Sequence, residues 1–211
     1  MKAIVIPVKA FAAAKTRLSP FLSPDARAGL AEAMCRDVFT AVARVRRIDR
    51  VLVVSNEPRA LAWAKERNWE ILAEQQQISE SASVDLACRH CLSAGAKAVL
   101  RLPADIPLVC SSDIEELFAA LSDSPGCVIV PSRDGTGTNA LLRSPATAFG
   151  SHFGRDSFAA HLAAARAAGL PVTVVRNAHI ELDVDEPADL EQLRQLVPAN
   201  FKTGEWLRGA T

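Results

Sequence analysis

Residues 98–107 read AVLRLPADIP, an apolar run that stops at an acidic residue held between two prolines. Val99, Leu100 and Leu102 predict a buried strand, and Pro103 and Pro107 end regular structure, so Asp105 is expected on a short, stiff turn past the strand's carboxyl end. Open α/β sheets place their ligand chemistry there. A carboxylate on such a turn either binds a metal or caps the helix that the pattern predicts over 111–121.

Outward from this stretch, strands and helices alternate. Lys2–Val8 is β-branched and apolar, as expected of a central strand covered on both faces, with Pro7 at its end. Ser23 and Pro24 open a long helix that runs through Val42. Further strands are expected at 51–54, 70–73, 128–131, 140–142 (possible as an antiparallel member) and 172–175, with a last one ending in 181–187. Helices are expected from Pro58 to about Arg67, over 84–94, in the alanine-rich run through Ala168, and from Pro187 onward. This alternation predicts a single-domain α/β protein over 1–211: a Rossmann-like, mixed but mostly parallel sheet with helices on both faces, and 198–211 as a C-terminal tail.

The chain has 211 residues, 49% of them hydrophobic, so one full core can be buried. Twenty-four basic residues balance twenty-four acidic ones, so no global charge favours nucleic acid or a membrane surface, and any anion site must be local. AIVIPV after the first two residues is too short for a signal segment or a membrane span, and the expectation is a soluble, cytoplasmic protein. Five cysteines, an odd number without an export signal, are expected to be reduced, and Cys88 and Cys91 to pack inside a helix.

The local charge lies in loops. Lys9, Lys15 and Arg17 follow the first strand in KAFAAAKTRLSP, which has no glycine and so would have to hold phosphates by side-chain charge rather than by a backbone cradle. The stretch 74–83, EQQQISESAS, is expected to be a polar connection. DGTGTN at 134–139 permits close backbone approach to a ligand or forms a plain turn. Gly154 and Ser157 precede the alanine-rich helix and offer an anion seat. Asp183 and Asp185 flank one residue, so in extended backbone both carboxylates point one way and repel unless a cation lies between them. With Asp105 they suggest a magnesium-bound polyphosphate, and the chemistry that fits is attack of an already ionised oxygen on phosphorus, without a strong general base.

Six segments, Ile6–Lys9, Ala14–Ser19, Leu102–Pro107, Gly135–Leu141, Phe153-Gly154 with Ser157-Phe158, and Leu182–Pro187, run in order and together resemble the CofC/FbiD family. These are guanylyltransferases of coenzyme F420 biosynthesis, with the MobA-like nucleotidyltransferase fold. The resemblance implies that GTP and a phosphorylated three-carbon acid, 2-phospho-L-lactate, phosphoenolpyruvate or 3-phospho-D-glycerate, give a guanosine diphosphate-linked acid and pyrophosphate, and that a separate transferase consumes the product. It implies that Asp105, Asp183 and Asp185 hold Mg2+, that Lys9, Lys15 and Arg17 contact phosphates, and that Thr138, Gly154 and Ser157 hold the acid. The chain departs from the family at 79–85, where Glu80 or Asp85 would have to read guanine. It departs again at Arg155-Asp156, where an extra guanidinium beside Ser157 favours 3-phosphoglycerate. The competing readings are a nucleotide-sugar glycosyltransferase that uses Asp183-Val184-Asp185, and a nucleotide-binding domain without turnover.

Overall fold

The computed structural model describes residues 1–121 and 125–209. Strand β1 (Lys2–Val8) lies inside the sheet, and its side chains alternate between two cores. Ile4, Ile6 and Val8 pack in the core that contains Val38, Phe39 and Val42 of helix α1 (Pro24–Val42). Ala3 and Val5 pack in a second core, on the opposite face, against Val84, Ala87, Cys88 and Cys91 of α3 (Glu80–Ser93). Cover on both faces follows directly from the unbroken apolar run. All five cysteines are free, as expected, and both members of the 88/91 pair are buried.

β1 is flanked in parallel by β2 (Arg50–Ser55) and β4 (Ala98–Arg101), and β3 (Glu70–Ala73) adds in parallel to β2. Beyond β4 the direction reverses. β6 (Thr138–Ser144) runs antiparallel to both β4 and β5 (Gly126–Pro131), and β7 (Val172–Val174) pairs in parallel with β5. The seven strands lie in the order β3-β2-β1-β4-β6-β5-β7. The remaining helices are α2 (Pro58–Glu66), α4 (Ser111–Ala120), α5 (Ser157–Ala167), α6 (Ala178–Glu181), α7 (Pro187–Leu196) and α8 (Lys202–Gly209). No helix among the described residues is long and apolar enough to cross a membrane.

Three expectations need correction. Helix α3 starts at Glu80 rather than near Val84, because Ser79 caps it: its Oγ accepts from the Ala82 amide at 3.1 Å. The polar connection therefore ends at Ser79, and Glu80 joins the first helical turn.

No last strand reaches Asp183. Residues 178–181 form α6, and the chain then passes beside the turn after β4, tied by the Val184 amide to the Asp105 carbonyl at 3.3 Å. β4 already bonds β1 on one side and β6 on the other, so its ladder has no place for another strand. The period-two pattern survives without a sheet: Leu182 and Val184 are buried, while Asp183 and Asp185 remain partly exposed.

The presumed tail is the third case. Its described part forms α8, and the Asp37 carboxylate of α1 accepts the amides of Lys202 and Thr203, each at 2.8 Å. Trp206 lies so close to Gly29 that a Cβ there would sit 2.8 Å from the indole nitrogen. Leu207 completes a small core with Leu18, Leu30, Met34, Leu182, Val184 and Leu193. This core holds the basic loop at Leu18 and the acidic segment at Leu182 and Val184 on one support.

Candidate active site

Two adjoining cavities of about 440 and 640 Å³ open at the carboxyl ends of β1 and β4. The first is lined by the loop after β1, including Lys9, Lys15 and Arg17, and by Gln77–Glu80. The second is lined by Thr138, Gly154, Ser157 and Asp183. Arg17, Glu80, Arg101, Asp105 and Asp185 face both.

The loop after β1 is two 3-10 turns, Phe11–Ala13 and Thr16–Leu18, with Lys15 between them in left-handed backbone at φ +54°. For a residue with a Cβ this conformation costs about 1–2 kcal/mol. It turns the Lys15 side chain inward, where the ammonium meets Asp105 Oδ2 at 2.5 Å and Asp185 Oδ1 at 2.9 Å. Burial alone would lower the Lys15 pKa; the charges of Asp105 and Asp185 outweigh it and hold the ammonium above its ordinary value. Burial likewise opposes ionisation of Asp105, but Lys15 and then Arg101 bring its carboxyl below the usual range.

Asp183 has no such cation. Burial first, then the charge of Asp105, and also that of Asp185, push its pKa up to about 6, against the hydrogen bond from Asn139. The Asn139 amide nitrogen stands 3.0 Å from Asp183 Oδ1 and also donates to the carbonyls of Ile180 and Glu181, at 2.9 and 3.0 Å. Asn139 thereby fixes the strand-free segment against β6. It is the last residue of the DGTGTN motif.

That motif is shaped by Asp134, which accepts from Ser132 Oγ at 2.5 Å, the Thr136 amide at 3.0 Å and Thr136 Oγ1 at 2.8 Å. These bonds, the one from Ser132 foremost, hold its carboxyl down to about 2. A Cβ on Gly137 would come 2.9 Å from Ser132 Oγ, which explains the glycine. The next residue, Thr138, is held by His161. The His152 amide donates to His161 Nε2 at 2.8 Å, so the proton of the neutral ring lies on Nδ1 and points to Thr138 Oγ1 at 3.0 Å. Gly154 has φ +129°, a backbone that only glycine adopts readily, and Ser157 is buried at the start of α5.

The structure therefore brings Lys9, Lys15, Arg17, Asp105, Thr138, Gly154, Ser157, Asp183 and Asp185 to one cleft. Lys9 and Arg17 are exposed, and Arg17 Nη1 reaches within 3.7 Å of Asp185. The two guanine candidates fare differently. Asp85 lines neither cavity; it accepts from the Ser151 amide at 3.0 Å and Ser151 Oγ at 2.7 Å and braces the 149–153 loop. Glu80 faces the cleft but pairs with Arg101, whose place in an apolar strand gives no sign in the sequence of a role in the site. Arg155 lines the second cavity beside Ser157, with its side chain 95% exposed and 3.5 Å from Asp156.

A mostly parallel α/β sheet whose strand ends carry acidic side chains, a buried lysine ammonium and two adjoining cavities is the framework of this site, and the relatives of the chain make it a nucleotidyltransferase. The family model for "Guanylyl transferase CofC like" proteins matches residues 1–209, and the chain belongs to that family. It is 38% identical to the phosphoenolpyruvate guanylyltransferase of Conexibacter woesei, over 97% of this chain and 92% of the relative. To the 2-phospho-L-lactate guanylyltransferase of Methanothermobacter thermautotrophicus it is 36% identical, over 90% of this chain and 82% of the relative. Among solved structures, a chain from Desulfovibrio desulfuricans G20 named as a nucleotide-diphospho-sugar transferase superposes with a TM-score of 0.78 at 20% identity, covering 99% of this chain and 94% of the other. A nucleotidyl transferase from M. thermautotrophicus superposes at 0.60 with 14% identity, covering 99% of each chain. Both superpositions cover 99% of this chain.

Proposed function

We propose that the protein transfers GMP from GTP to the phosphate of a phosphorylated three-carbon acid, releasing pyrophosphate. The observation that carries the reading is the meeting of two cavities at Asp105 and Asp185, with the Lys9–Arg17 loop on one side and Thr138, Gly154 and Ser157 on the other. Relatives at 38% and 35% identity, over 97% and 95% of this chain, carry the name phosphoenolpyruvate guanylyltransferase, which favours that acid as acceptor.

In this reading Lys9, Lys15 and Arg17 bind the triphosphate and orient its α-phosphorus toward the second cavity. Thr138, Gly154 and Ser157 hold the acid so that its phosphate oxygen approaches in line. That oxygen is ionised at neutral pH, so no side chain has to remove a proton. The donor set supports a hard divalent cation: all three residues offer carboxylate oxygens to the same cavity, and the ammonium of Lys15 sits between Asp105 and Asp185 as a stand-in charge. Asp105, Asp183 and Asp185 would hold Mg2+, which when bound neutralises charge developing on the phosphoryl oxygens. The product, a guanosine diphosphate-linked acid, suits a separate transferase of the coenzyme F420 pathway.

The test is pyrophosphate release with Mg2+, each nucleoside triphosphate and each of the three acids. Release with GTP and one acid supports the proposal, and Asp105→Asn and Asp185→Asn should each abolish it while leaving the fold intact. Release from no pair would instead favour a nucleotide-binding domain without turnover.

A further inference from the structure

Arg101 ends β4, four residues before Asp105, and its side chain is only 7% exposed. Nη1 donates to the carbonyls of Thr138 and Asn139 at 3.3 and 3.1 Å, and the guanidinium lies over the Phe153 ring, 4.3 Å from its centroid. Nη2 meets the Glu80 carboxylate, and Nε is buried without a hydrogen-bond partner. A guanidinium taken out of water in this way is costly unless it is met by an anion. The anion it has is unlike the rest of its surroundings: Glu80 stands in the first turn of α3 with its side chain 39% exposed, free to rotate toward solvent.

The other guanidinium groups of the second cavity are of a different kind. Arg133 is engaged 2.8 Å from Asp189, Arg155 is 95% exposed, and Arg17 is 68% exposed. Among the described residues lining that cavity, Arg101 is the one buried, preoriented guanidinium. It faces both cavities, beside Asp105, where two anionic substrates must meet.

We propose that Arg101 is a catalytic residue that binds the attacking phosphate of the acceptor, and that Glu80 is a latch whose carboxylate this phosphate displaces. The inference rests on the guanylyl-transfer reading. A planar fork matches a phosphate with two parallel hydrogen bonds, and its charge offsets the repulsion between the acceptor phosphate and the triphosphate. In the step itself an acceptor phosphate oxygen bonds to the α-phosphorus, the bond from that phosphorus to the oxygen bridging toward the β-phosphorus breaks, and the electron pair leaves with pyrophosphate. No proton is transferred. Glu80, released from Arg101, turns to solvent at the helix N-terminus, where a negative charge is favoured.

Arg101→Lys keeps the charge and removes the fork, and Glu80→Gln weakens the latch. The KM for the acceptor should rise about tenfold or more in Arg101→Lys, with the KM for GTP within about twofold of the parent, as expected for loss of a charged hydrogen bond to one substrate. Glu80→Gln should lower the acceptor KM. Inorganic phosphate and pyruvate serve as binding probes without turnover: phosphate should raise the thermal midpoint of the parent more than that of Arg101→Lys, which keeps only the Lys9–Arg17 loop as a phosphate site, and pyruvate should shift both alike. Equal rises in the two KM values, an acceptor KM raised by Glu80→Gln, or a phosphate shift in Arg101→Lys as large as the parent's would each overturn the assignment. If the parent released no pyrophosphate with any pair, the function proposed above would fail, whereas the phosphate-binding arm would still report on Arg101.

Discussion

The Lys15 ammonium lies 2.5 Å from Asp105 Oδ2, and the same nitrogen lies 2.9 Å from Asp185. One flexible side chain thereby balances two carboxylates that stand 80 residues apart in the sequence. Lys15→Met removes that balance. Without divalent cation at pH 8, the unfolding free energy should fall by about 3 kcal/mol or less, the low end of a broken buried pair because the two carboxylates are partly exposed and screened by water, and added Mg2+ should restore most of the loss. Urea titration with and without Mg2+ checks this. A stability unchanged in the absence of metal would mean that Lys15 does not compensate the cluster.

Asn139 is the donor to Asp183, whose pKa already stands at about 6. In the proposed site a proton on Asp183 would compete with Mg2+, so turnover at subsaturating Mg2+ should rise with pH through that value. Asn139→Ala withdraws a hydrogen bond that favours the ionised form, and the acid limb should move to higher pH. A pH profile of pyrophosphate release between pH 5 and 9 measures the shift; a limb that stayed in place would dissociate Asn139 from the ionisation.

His161 makes a prediction about stability. Burial, followed by the nearby charges of Arg143, His152 and Arg101, pushes its pKa down to about 3, well below the 6.5 of an unperturbed ring. Between these values the unfolded chain binds a proton that the folded chain refuses. The stability is therefore fully present above pH 6.5 and is lost as pH falls toward 3, by a few kcal/mol at most. His161→Gln should flatten that slope while costing stability at pH 7, because its amide replaces the ring bonds to Thr138 and His152 incompletely. Unfolding midpoints collected across pH 4–8 give the slope directly, and equal slopes in the two proteins would refute the assignment.

Asp85 offers a clean separation between reading guanine and bracing a loop. It holds Ser151, close to Phe153 and Gly154 of the second cavity, and does not line the first. Asp85→Asn should raise the acceptor KM by several-fold and lower stability by about 1–2 kcal/mol, with the KM for GTP unchanged. A rise confined to GTP would return Asp85 to the nucleotide site.

Much of this protein was legible without coordinates, because the strongest signals were local. The apolar run of Lys2–Val8, the Ser23-Pro24 start of α1 and the proline-bounded Asp105 are each dictated by neighbouring residues, and they appear where the residue pattern puts them. The alternation of Leu182, Asp183, Val184 and Asp185 correctly assigned inward and outward sides, although the segment is not a strand. Pairing and docking were decided only in three dimensions. Arg101 reads as an interruption of a strand until Glu80, Thr138, Asn139 and Phe153 surround it. Residues 202–209 read as a tail until Asp37 caps them and Gly29 admits Trp206. Asp85 resembles a base reader until Ser151 claims it. Helix and strand formation follow from short-range periodicity and capping, whereas the partner of a charged side chain depends on segments distant in sequence that only the packed sheet brings together.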